Sequence, residues 1–395
     1  MRVVIISYDF RAYFPPRIKH FGEFLRQRGD ELHVVELFSE SICYQFISDD
    51  FGHLPHHVLF QGRYDGKIAM AEVCRKIAAV LDEVNPDVVI TSDVNFPSGA
   101  EVLRWTQRNR RGMVIYTDSM SHTFRKNVLV RLVKNALLRG VGAVLCPSSA
   151  WDESMKELGF VQERIFYGLN TADNAFWGAK VANTSFPKLP KQYFLTLGRQ
   201  VKMKNLQNFA CAYLRYCAEG GTMPLVMVGE GYCHQEIVDI LKDCSQVIFL
   251  PFQDREKVRE IFVQARALFL PSYKIETWGM VVNEAMAAGV PVAVSNQCGC
   301  ATTIVKPGEN GFIFDPDDPH AMVKAMQTLE KMSSEEWQRF SDHSRRIIAG
   351  WGVERFSQGA YDACRYAAAH QRRLWNPMDY LIMRLWQGRI ASDDL

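Results

Sequence analysis

The chain has 395 residues, which is too long for one compact core and enough for two domains of ordinary size. Hydrophobic residues make up 48% of it and charged residues 23%, a composition typical of a soluble globular protein. The formal net charge of +2 excludes a bulk basic protein, so any binding to nucleic acid or membrane would depend on local patches.

The cysteines and the N-terminus indicate a reducing compartment. None of the ten cysteines forms a CxxC pair or a His/Cys cluster with the spacing of zinc ligands. The first ten residues lead directly into a strand and lack the long apolar stretch and cleavage site of a signal peptide. No run of about 18 apolar residues occurs. We therefore expect a cytoplasmic protein.

Short apolar runs recur at helix-sized intervals along both halves of the chain. They are continuous rather than alternating, as in parallel strands that are covered on both faces. In the first half the runs are Val3–Ser7, His33–Leu37, Val88–Thr91, Met113–Thr117 and Ala143–Pro147. In the second half they are Tyr193–Leu197, Leu225–Gly229, Val247–Leu250, Ala267–Pro271, Val290–Val294 and Phe312–Phe314. The helical patterns between them include Phe21–Arg28, Ala69–Asp82 and Arg255–Gln264.

This alternation predicts an α/β fold of two doubly wound Rossmann-like domains that face each other across a cleft. We place the first domain at residues 1–178 and the second at 192–349. The stretch between them, Gly178–Lys191, has little apolar periodicity. Residues 350–395 are expected to form helices that pack back on the first domain. Ligands of such sheets lie beyond the carboxyl ends of the strands.

The most informative motif is the stretch from Pro271 to Pro291, in which Glu276 and Glu284 are eight positions apart. On one helix that spacing would separate them by about 12 Å. If a loop carries Glu276 and a helix begins near Gly279, both carboxylates can serve one ligand, and the first amides of the helix form an anion site. Carboxylates suit sugar hydroxyls because they accept several hydrogen bonds. Alternatively, the two acids merely favour the start of a helix through its dipole.

Two further loops follow predicted strands. In the first, Gly198 allows close backbone approach, and Arg199 and Lys204 can bring two positive charges to a diphosphate. A solvated basic loop is the alternative. The second loop, Val228–Gly231, has the sequence VGEG and is a weaker indication of a ligand-binding turn.

In this order and spacing the motifs resemble the family-4 retaining glycosyltransferases (glycosyl transferases group 1) of the two-Rossmann-domain, GT-B type. The resemblance is strong over about Tyr193–Asp318, where the segment EAMAAGVPV follows the first glutamate, and it covers the rest less specifically. It implies transfer of a sugar, with retention, from a nucleotide-diphosphate-sugar to an acceptor hydroxyl of a glycan, a lipid-linked sugar or a small molecule.

The resemblance also implies roles for individual residues. Glu276 would hold the hydroxyls of the transferred sugar, Glu284 the ribose, and Arg199 with Lys204 the diphosphate. Phe252 and Gln253 would hold the base through the main chain. The donor-binding residues implied are Arg199, Lys204, Gly229, Phe252, Gln253, Glu276, Thr277, Trp278, Gly279, Met280, Val281 and Glu284.

Retention without an enzymic nucleophile can proceed by front-face attack, in which the leaving phosphate takes the acceptor's proton. The protein then supplies charge stabilisation and positioning. We expect neither a cofactor nor a metal. Asp315 and Asp317 fit a DxD metal-binding motif. They lie in a turn before a helix from Pro319, however, and an Asp there is better explained as the cap of that helix.

The first half departs from the family pattern at two places. The first loop, Ser7–His20, lacks the family's glycine pair, and Arg17 or Lys19 could replace it by charge. The fourth strand of the family commonly ends in a His that faces the sugar. Here Asp118 is the candidate for that catalytic position, with His122 second, although Asp118 could equally cap a helix. In the second half, Gly299 could approach the phosphates.

A basic segment suggests that the protein binds to a membrane surface. No acidic residue lies between Asp118 and Asp152. In a helix from about Val128, Arg131, Lys134 and Arg139 would share one side, opposite a leucine-rich side. A second apolar stripe lies in Asn376–Gln387. Ordinary core-facing helices are the favoured explanation, and peripheral binding to the inner face of an anionic membrane is the hypothesis.

Three other functions are alternatives to sugar transfer. A nicotinamide oxidoreductase is disfavoured because no GxGxxG follows a strand. A non-catalytic nucleotide-sugar-binding subunit and a nucleotide-sugar epimerase stay open. No binding to nucleic acid is expected.

Overall fold

The computed structural model describes residues 1–11, 13–40, 51–120, 128–181, 186, 188–273 and 276–390, without the side chain of residue 128. The chain divides into two compact units. The first unit comprises Met1–Thr171 and Val353–Leu395, and the second comprises Ala172–Gly352.

The first unit contains a sheet of seven parallel strands in the order β3-β2-β1-β4-β5-β6-β7. The strands are β1 Arg2–Ser7, β2 Glu31–Phe38, β3 His56–Phe60, β4 Val88–Thr91, β5 Gly112–Tyr116, β6 Ala143–Cys146 and β7 Ile165–Tyr167. Its helices are α1 Phe14–Arg26, α2 Met70–Val84, α3 Pro97–Asn109, α4 Val128–Leu138, α5 Asp152–Glu157, and, at the end of the chain, α14 Val353–Ala369 and α15 Pro377–Leu385.

The second unit contains six parallel strands in the order β10-β9-β8-β11-β12-β13. The strands are β8 Tyr193–Leu197, β9 Leu225–Val228, β10 Val247–Leu250, β11 Ala265–Leu270, β12 Val292–Ser295 and β13 Gly311–Phe314. Its helices are α6 Asn174–Trp177, α7 Leu206–Ala218, α8 His234–Leu241, α9 Arg255–Phe262, α10 Met280–Ala288, α11 Ala301–Ile304, α12 Pro319–Lys331 and α13 Ser334–Ala349.

Burial explains the continuous apolar runs. Val3, Val4, Ile5 and Ile6 of β1 have no exposed surface, because helices cover both faces of the sheet. The predicted α/β fold of two doubly wound, Rossmann-like units is confirmed.

Helix α14 packs against the first sheet through small residues. Ala360, Ala363 and Ala367 have no exposed surface and belong to the core that includes β1. A side chain at Gly142, which precedes β6, would collide with Ala367, so the helix and the sheet can approach closely only because both residues are small. This contact places the end of the chain in the first unit.

The boundary differs from the predicted one. The first unit ends at Thr171 rather than residue 178, because Ala172 forms a β-bridge with Gly352 and the helix that follows it, α6, packs on α10. For the same reason residues 350–352 lie in the second unit. No helix within the described residues combines the length and apolar character needed to cross a membrane.

Candidate functional site

The strand order of the second sheet reverses between β8 and β11, which are neighbours in the sheet although two strands separate them along the chain. Open α/β sheets bind ligands at such a point, in the crevice beyond the carboxyl ends of the strands. Gly198, Arg199 and Lys204, which follow β8, line a depression there together with Pro271, which follows β11. Two of the predicted motifs therefore meet at this point.

An ion pair joins the two loops. Lys204 Nζ donates to Glu276 Oε2, and Ser272 Oγ donates to the same oxygen at 3.1 Å. The side chains of Lys204 and Glu276 are 17% and 13% exposed. The acid and the base predicted from separate motifs thus contact each other directly.

Backbone contacts support the ion pair. Tyr273 N donates to Met203 O at 2.8 Å and links the two loops. Asn205 Nδ2 donates to the carbonyl oxygens of Pro271, at 3.2 Å, and Pro316, at 3.0 Å. Asn205 has a φ of 54°, which Asn tolerates better than most residues. Asn205 was not predicted as a site residue, although an Asn after a basic turn is a usable signal.

The VGEG loop supports the loop that carries Arg199. Gly198 N donates to Val228 O at 3.0 Å and Gln200 Nε2 donates to Gly229 O at 2.8 Å, so the two loops extend the pairing of β8 and β9. Gly229 has a φ of 124°, and a Cβ there would overlap the carbonyl oxygen of Gly198. Gln200, which is almost fully buried, was not predicted as a site residue.

Gly279 begins the helix that follows Glu276. It is the N-cap of α10 with a φ of 100°, and a Cβ at this position would collide with Leu270. The side chain of Trp278 lies in the core, where its Nε1 donates to Asn283 Oδ1 at 2.7 Å and its ring lies 5.1 Å from that of Trp351. Any contact of Trp278 with a ligand would therefore involve its backbone.

The remaining predicted donor-binding residues of this segment lie just before α10 or in its first turns. Thr277 lies in the loop with Glu276, whereas Met280 and Val281 form the first turn and Glu284 the second. Glu284 is 5% exposed. The structure therefore places one carboxylate ahead of the helix and one within it.

The loop after β12 supports the Glu276 loop. Gly299 N donates to Glu276 O at 3.3 Å, and Cys300 N donates to Trp278 O at 3.0 Å. The amide of Gly299, which was expected to approach phosphates, therefore has a partner within the protein. Burial raises the pKa of the Cys298 and Cys300 thiols well above the usual value, so both thiols are protonated at neutral pH.

Phe252 and Gln253 lie farther along the same edge. They follow β10, which is two strands from β8 and hence about 10 Å away. Phe252 is 38% exposed, and Gln253 Nε2 donates to Pro251 O at 3.1 Å.

The DxD motif lies in a turn. Asp315 Oδ1 accepts the N–H of Asp317 at 3.0 Å, and Asp318, rather than either of them, is the N-cap of α12 through the N–H of His320. In the part of the chain that the structure describes, no three His, Cys, Asp or Glu residues form a cluster that could hold a metal ion.

In the first unit, two predicted loop residues are helical. The loop after β1 ends at Tyr13, because Pro15 and Pro16 favour the first turn of α1. Arg17 is buried in this helix, where its Nε donates to Thr171 O at 2.9 Å and its guanidinium lies 5.2 Å from the centre of the Phe14 ring. Lys19 is exposed on the same helix. The prediction that both residues belong to the loop was therefore wrong. His122 lies outside the described residues.

Asp118 follows β5 and is half-buried. Its Oδ2 accepts Asn170 Nδ2 at 3.3 Å, and its carbonyl oxygen accepts Trp151 Nε1 at 2.8 Å. Neither Asp118 nor the two residues after it are helical, and the described part of α4 begins at Val128. Tyr116, two positions before it, donates to Ser7 Oγ at 2.7 Å and joins the ends of β5 and β1.

The basic side predicted for α4 is wrong in part. Arg131 is exposed, but Lys134 is buried, and its Nζ lies 2.8 Å from Asp93 Oδ2. Arg139 pairs with Asp379 of α15 at 2.7 Å. Lys134 turns inward because α4 covers the loop after β4, which holds Asp93. It is therefore not available to a membrane surface.

A buried acid at the loop after β1 was not predicted. Glu36 is 1% exposed, and its two oxygens accept the N–H of Phe10 at 2.7 Å and contact Nε2 of His56 at 2.7 Å. This carboxylate holds the loop that lacks glycine. The signal in the sequence is a Glu between apolar residues of a strand, Val34, Val35 and Leu37.

Residues 182–347 match the glycosyl transferases group 1 family. The matched stretch contains Arg199, Lys204, Glu276 and Glu284, so the resemblance to this family is confirmed for the second unit. The assignment to its family-4 retaining members stays a prediction.

Curated glycosyltransferases are similar to the chain over stretches of different length. A D-inositol 3-phosphate glycosyltransferase of Rhodococcus opacus is 31% identical over 160 residues, which are 40% of this chain and 35% of that protein. The chain thus spans about a third of that relative. A phosphatidyl-myo-inositol mannosyltransferase of Mycobacterium leprae is 24% identical over 347 residues, which are 83% of this chain and 87% of that protein.

A solved structure shows the same fold. Anabaena HepE in complex with UDP and glucose has a TM-score of 0.69 and 16% identity, with 92% of this chain and 99% of that chain covered. The α/β fold is therefore that of the GT-B glycosyltransferases.

Proposed function

We propose that the protein is a retaining glycosyltransferase that moves a sugar from a nucleotide-diphosphate-sugar, bound at the switch point of the second unit, to an acceptor hydroxyl bound by the first unit. The observation that carries this proposal is the contact between Lys204 and Glu276 at the switch point of a unit that matches a glycosyltransferase family.

The ion pair suits a donor that carries both a sugar and a diphosphate. In the ligand-free protein Glu276 neutralises Lys204, so a half-buried charge is not left alone. On donor binding, the Lys204 ammonium turns to the diphosphate and the Glu276 carboxylate accepts hydrogen bonds from the sugar hydroxyls. Arg199, on the same loop, adds a second positive charge.

The chemistry follows from where charge develops. The bond between the anomeric carbon and the diphosphate oxygen breaks, and the leaving group becomes more negative as the anomeric carbon becomes oxocarbenium-like. The acceptor oxygen attacks from the face that the diphosphate leaves, and its proton passes to the leaving phosphate oxygen. Lys204, Arg199 and the first amides of α10 stabilise the leaving group. Asp118 of the first unit is the candidate for orienting the acceptor or the transferred sugar.

The relatives support the proposed substrates. The name of the Mycobacterium relative describes mannose transfer to a phosphatidylinositol, and the Anabaena structure holds UDP and glucose. We therefore propose a nucleoside-diphosphate hexose as donor and a glycan, lipid-linked sugar or small hydroxylated molecule as acceptor.

The test is donor turnover followed by NMR of the product. Nucleotide-sugars that raise the melting temperature are incubated with the protein, and hydrolysis or transfer is followed for the parent and for Glu276→Gln. We expect product with the anomeric configuration of the donor. Glu276→Gln should lower kcat/KM about 10- to 100-fold, because charge-assisted hydrogen bonds to the sugar are lost.

Other outcomes separate the alternatives. Binding without turnover would indicate a non-catalytic nucleotide-sugar-binding subunit, and an epimerised nucleotide-sugar would indicate an epimerase. An inverted product would contradict the retaining mechanism.

A further inference from the structure

The loop after β1 carries an acid at the carboxyl edge of the first sheet. Asp9 is half-buried and lies two positions beyond Ser7, the last residue of β1. The strand order of this sheet reverses between β1 and β4, so the loop lies at the first unit's own switch point. Open α/β sheets bind ligands in the crevice at such a point. Asp9 therefore lies where the proposed acceptor would bind.

Asp9 and Asp118 belong to one polar group. The hydrogen bond from Tyr116 to Ser7 joins the ends of β5 and β1, and each acid lies two positions beyond one of these residues. Burial raises the pKa of Tyr116 well above its usual value, and both carboxylates are close enough to raise it further. The two acids thus approach the same hydroxyl group from different strands.

A buried carboxylate holds the loop that presents Asp9. Glu36 of β2 is 1% exposed, and its two oxygens contact the N–H of Phe10 at 2.7 Å and Nε2 of His56 at 2.7 Å. The ring of Phe51 packs against His56 with 4.8 Å between the ring centres. Burial of a carboxylate costs free energy unless the group is paired, so Glu36 keeps this position only with its partners in place.

Further hydrogen bonds leave the loop little freedom. Phe38 N donates to Tyr8 O at 3.1 Å, and the buried guanidinium of Arg11 donates to Ser39 O. Arg11 N donates to Asp9 Oδ1 at 3.2 Å. A carboxylate accepts about four hydrogen bonds, so Asp9 can hold a ligand hydroxyl in addition to its partners within the protein.

We infer that Glu36 is a positioning residue for the acceptor: it fixes the loop through Phe10, so that Asp9 receives an acceptor hydroxyl. The loop contains no glycine, and the buried carboxylate gives it a fixed shape. A group that is held in place before the ligand arrives binds more tightly, because less conformational entropy is lost on binding. This assignment rests on the proposed sugar transfer and narrows its acceptor.

The charges around Tyr116 favour an uncharged acceptor with several hydroxyls. Asp9 and Asp118 bring two negative charges, and Arg17, which donates to Thr171 O at 2.9 Å, brings one positive charge. A phosphate beside the reacting hydroxyl would be repelled by the carboxylates, whereas hydroxyls donate charge-assisted hydrogen bonds to them. The acceptor group bound here is therefore a neutral sugar or polyol rather than its phosphate ester.

The experiment is a kinetic comparison at a saturating concentration of a nucleotide-sugar that the protein turns over. Methyl α-glucoside, methyl α-mannoside and myo-inositol are offered as acceptors, each beside its monophosphate. We expect transfer to a neutral acceptor with a kcat/KM about tenfold or more above that of its monophosphate. Asp9→Asn should raise the KM of the neutral acceptor about tenfold and leave the dissociation constant of the donor unchanged.

Two substitutions of Glu36 test its role in positioning. Glu36→Val removes the acceptor of the Phe10 N–H and should raise the acceptor's KM about tenfold or more, with donor binding unchanged. Glu36→Gln keeps an oxygen for this N–H and should restore the KM to within about threefold of the parent value. Gln107→Leu is the matched control, because Gln107 is buried near the end of α3 and donates to Gly140 O and Arg372 O. It should lower the melting temperature without changing the acceptor's KM.

The possible outcomes separate this inference from the proposed function. An acceptor KM that stays unchanged in Glu36→Val or in Asp9→Asn would overturn the inference while sugar transfer stands. So would a parent protein that prefers the monophosphates or transfers to none of the neutral acceptors. If Glu36→Val does not fold, Asp9→Asn decides. A parent that turns over no nucleotide-sugar would contradict the proposed function, and this inference with it.

Discussion

At the scale of single residues, charge pairing governs what the predicted site can do. Lys204 and Glu276 neutralise each other at the second unit's switch point, whereas Lys134 and Asp93 do so under α4 in the first unit. The first pair is partly exposed and can exchange partners with a ligand. The second is almost completely buried, so its role is structural.

The buried pair leads to a prediction on stability. Lys134→Met should lower the free energy of unfolding of the first unit by about 3 kcal/mol, because Asp93 is left as an unpaired buried charge. The double variant Lys134→Met/Asp93→Leu should recover most of this loss. Urea denaturation of both variants measures the effect, and a loss below about 1 kcal/mol for Lys134→Met would show that the pair is solvated.

The sequence could predict some residue placements and not others. Arg199, Lys204 and Glu276 could be placed because each lies in a loop that follows a buried strand, and such loops converge at the carboxyl edge of a sheet. The burial of Lys134 could not be predicted, since its partner Asp93 is 41 positions away and helical periodicity alone puts lysine outside. Arg17 was misplaced because two prolines start α1 earlier than the apolar pattern suggests.

At the scale of elements, two loops of the second unit support each other through glycines. Gly229 lets the VGEG loop contact the loop of Gly198 and Arg199. This contact positions Arg199 and, through the same loop, Lys204.

Substitution of this glycine provides the second test of stability. Gly229→Ala should cost about 3 kcal/mol or more, since it combines a positive φ with overlap on the Gly198 carbonyl oxygen. Gly220→Ala is the control, because Gly220 has a φ of 91° but open space around its Cα, and it should cost about 1 kcal/mol. Thermal unfolding compares the two. Equal losses of stability for Gly229→Ala and Gly220→Ala would mean that the two loops move apart to accommodate the added methyl group.

The strands were predicted where burial on both faces leaves a continuous apolar run. The runs found in the sequence correspond to eleven of the thirteen strands among the described residues. The other two, β3 and β7, are the edge strands of the first sheet. β3 is half exposed and begins with two histidines, and β7 has three residues, so neither produces a long apolar run.

At the scale of the whole molecule, each unit has its own sheet and its own switch point. The chain enters the second unit at Ala172 and leaves it at Gly352, where the two residues form a bridge. The return of α14 and α15 to the first unit completes that unit's core. Small residues of α14 were a signal in the sequence, but Gly142, against which Ala367 packs, is more than 200 positions away from it.

The central claim, that Lys204 and Glu276 belong to a binding site for a nucleoside diphosphate, is tested most directly by calorimetric titration. UDP, GDP and ADP are titrated into the parent, Lys204→Ala and Lys202→Ala, where Lys202 is an exposed lysine of the same turn. We expect one nucleotide to bind the parent and Lys202→Ala alike, and Lys204→Ala to bind it about 10- to 100-fold more weakly. Equal affinity of all three proteins, or no binding to the parent, would contradict the account.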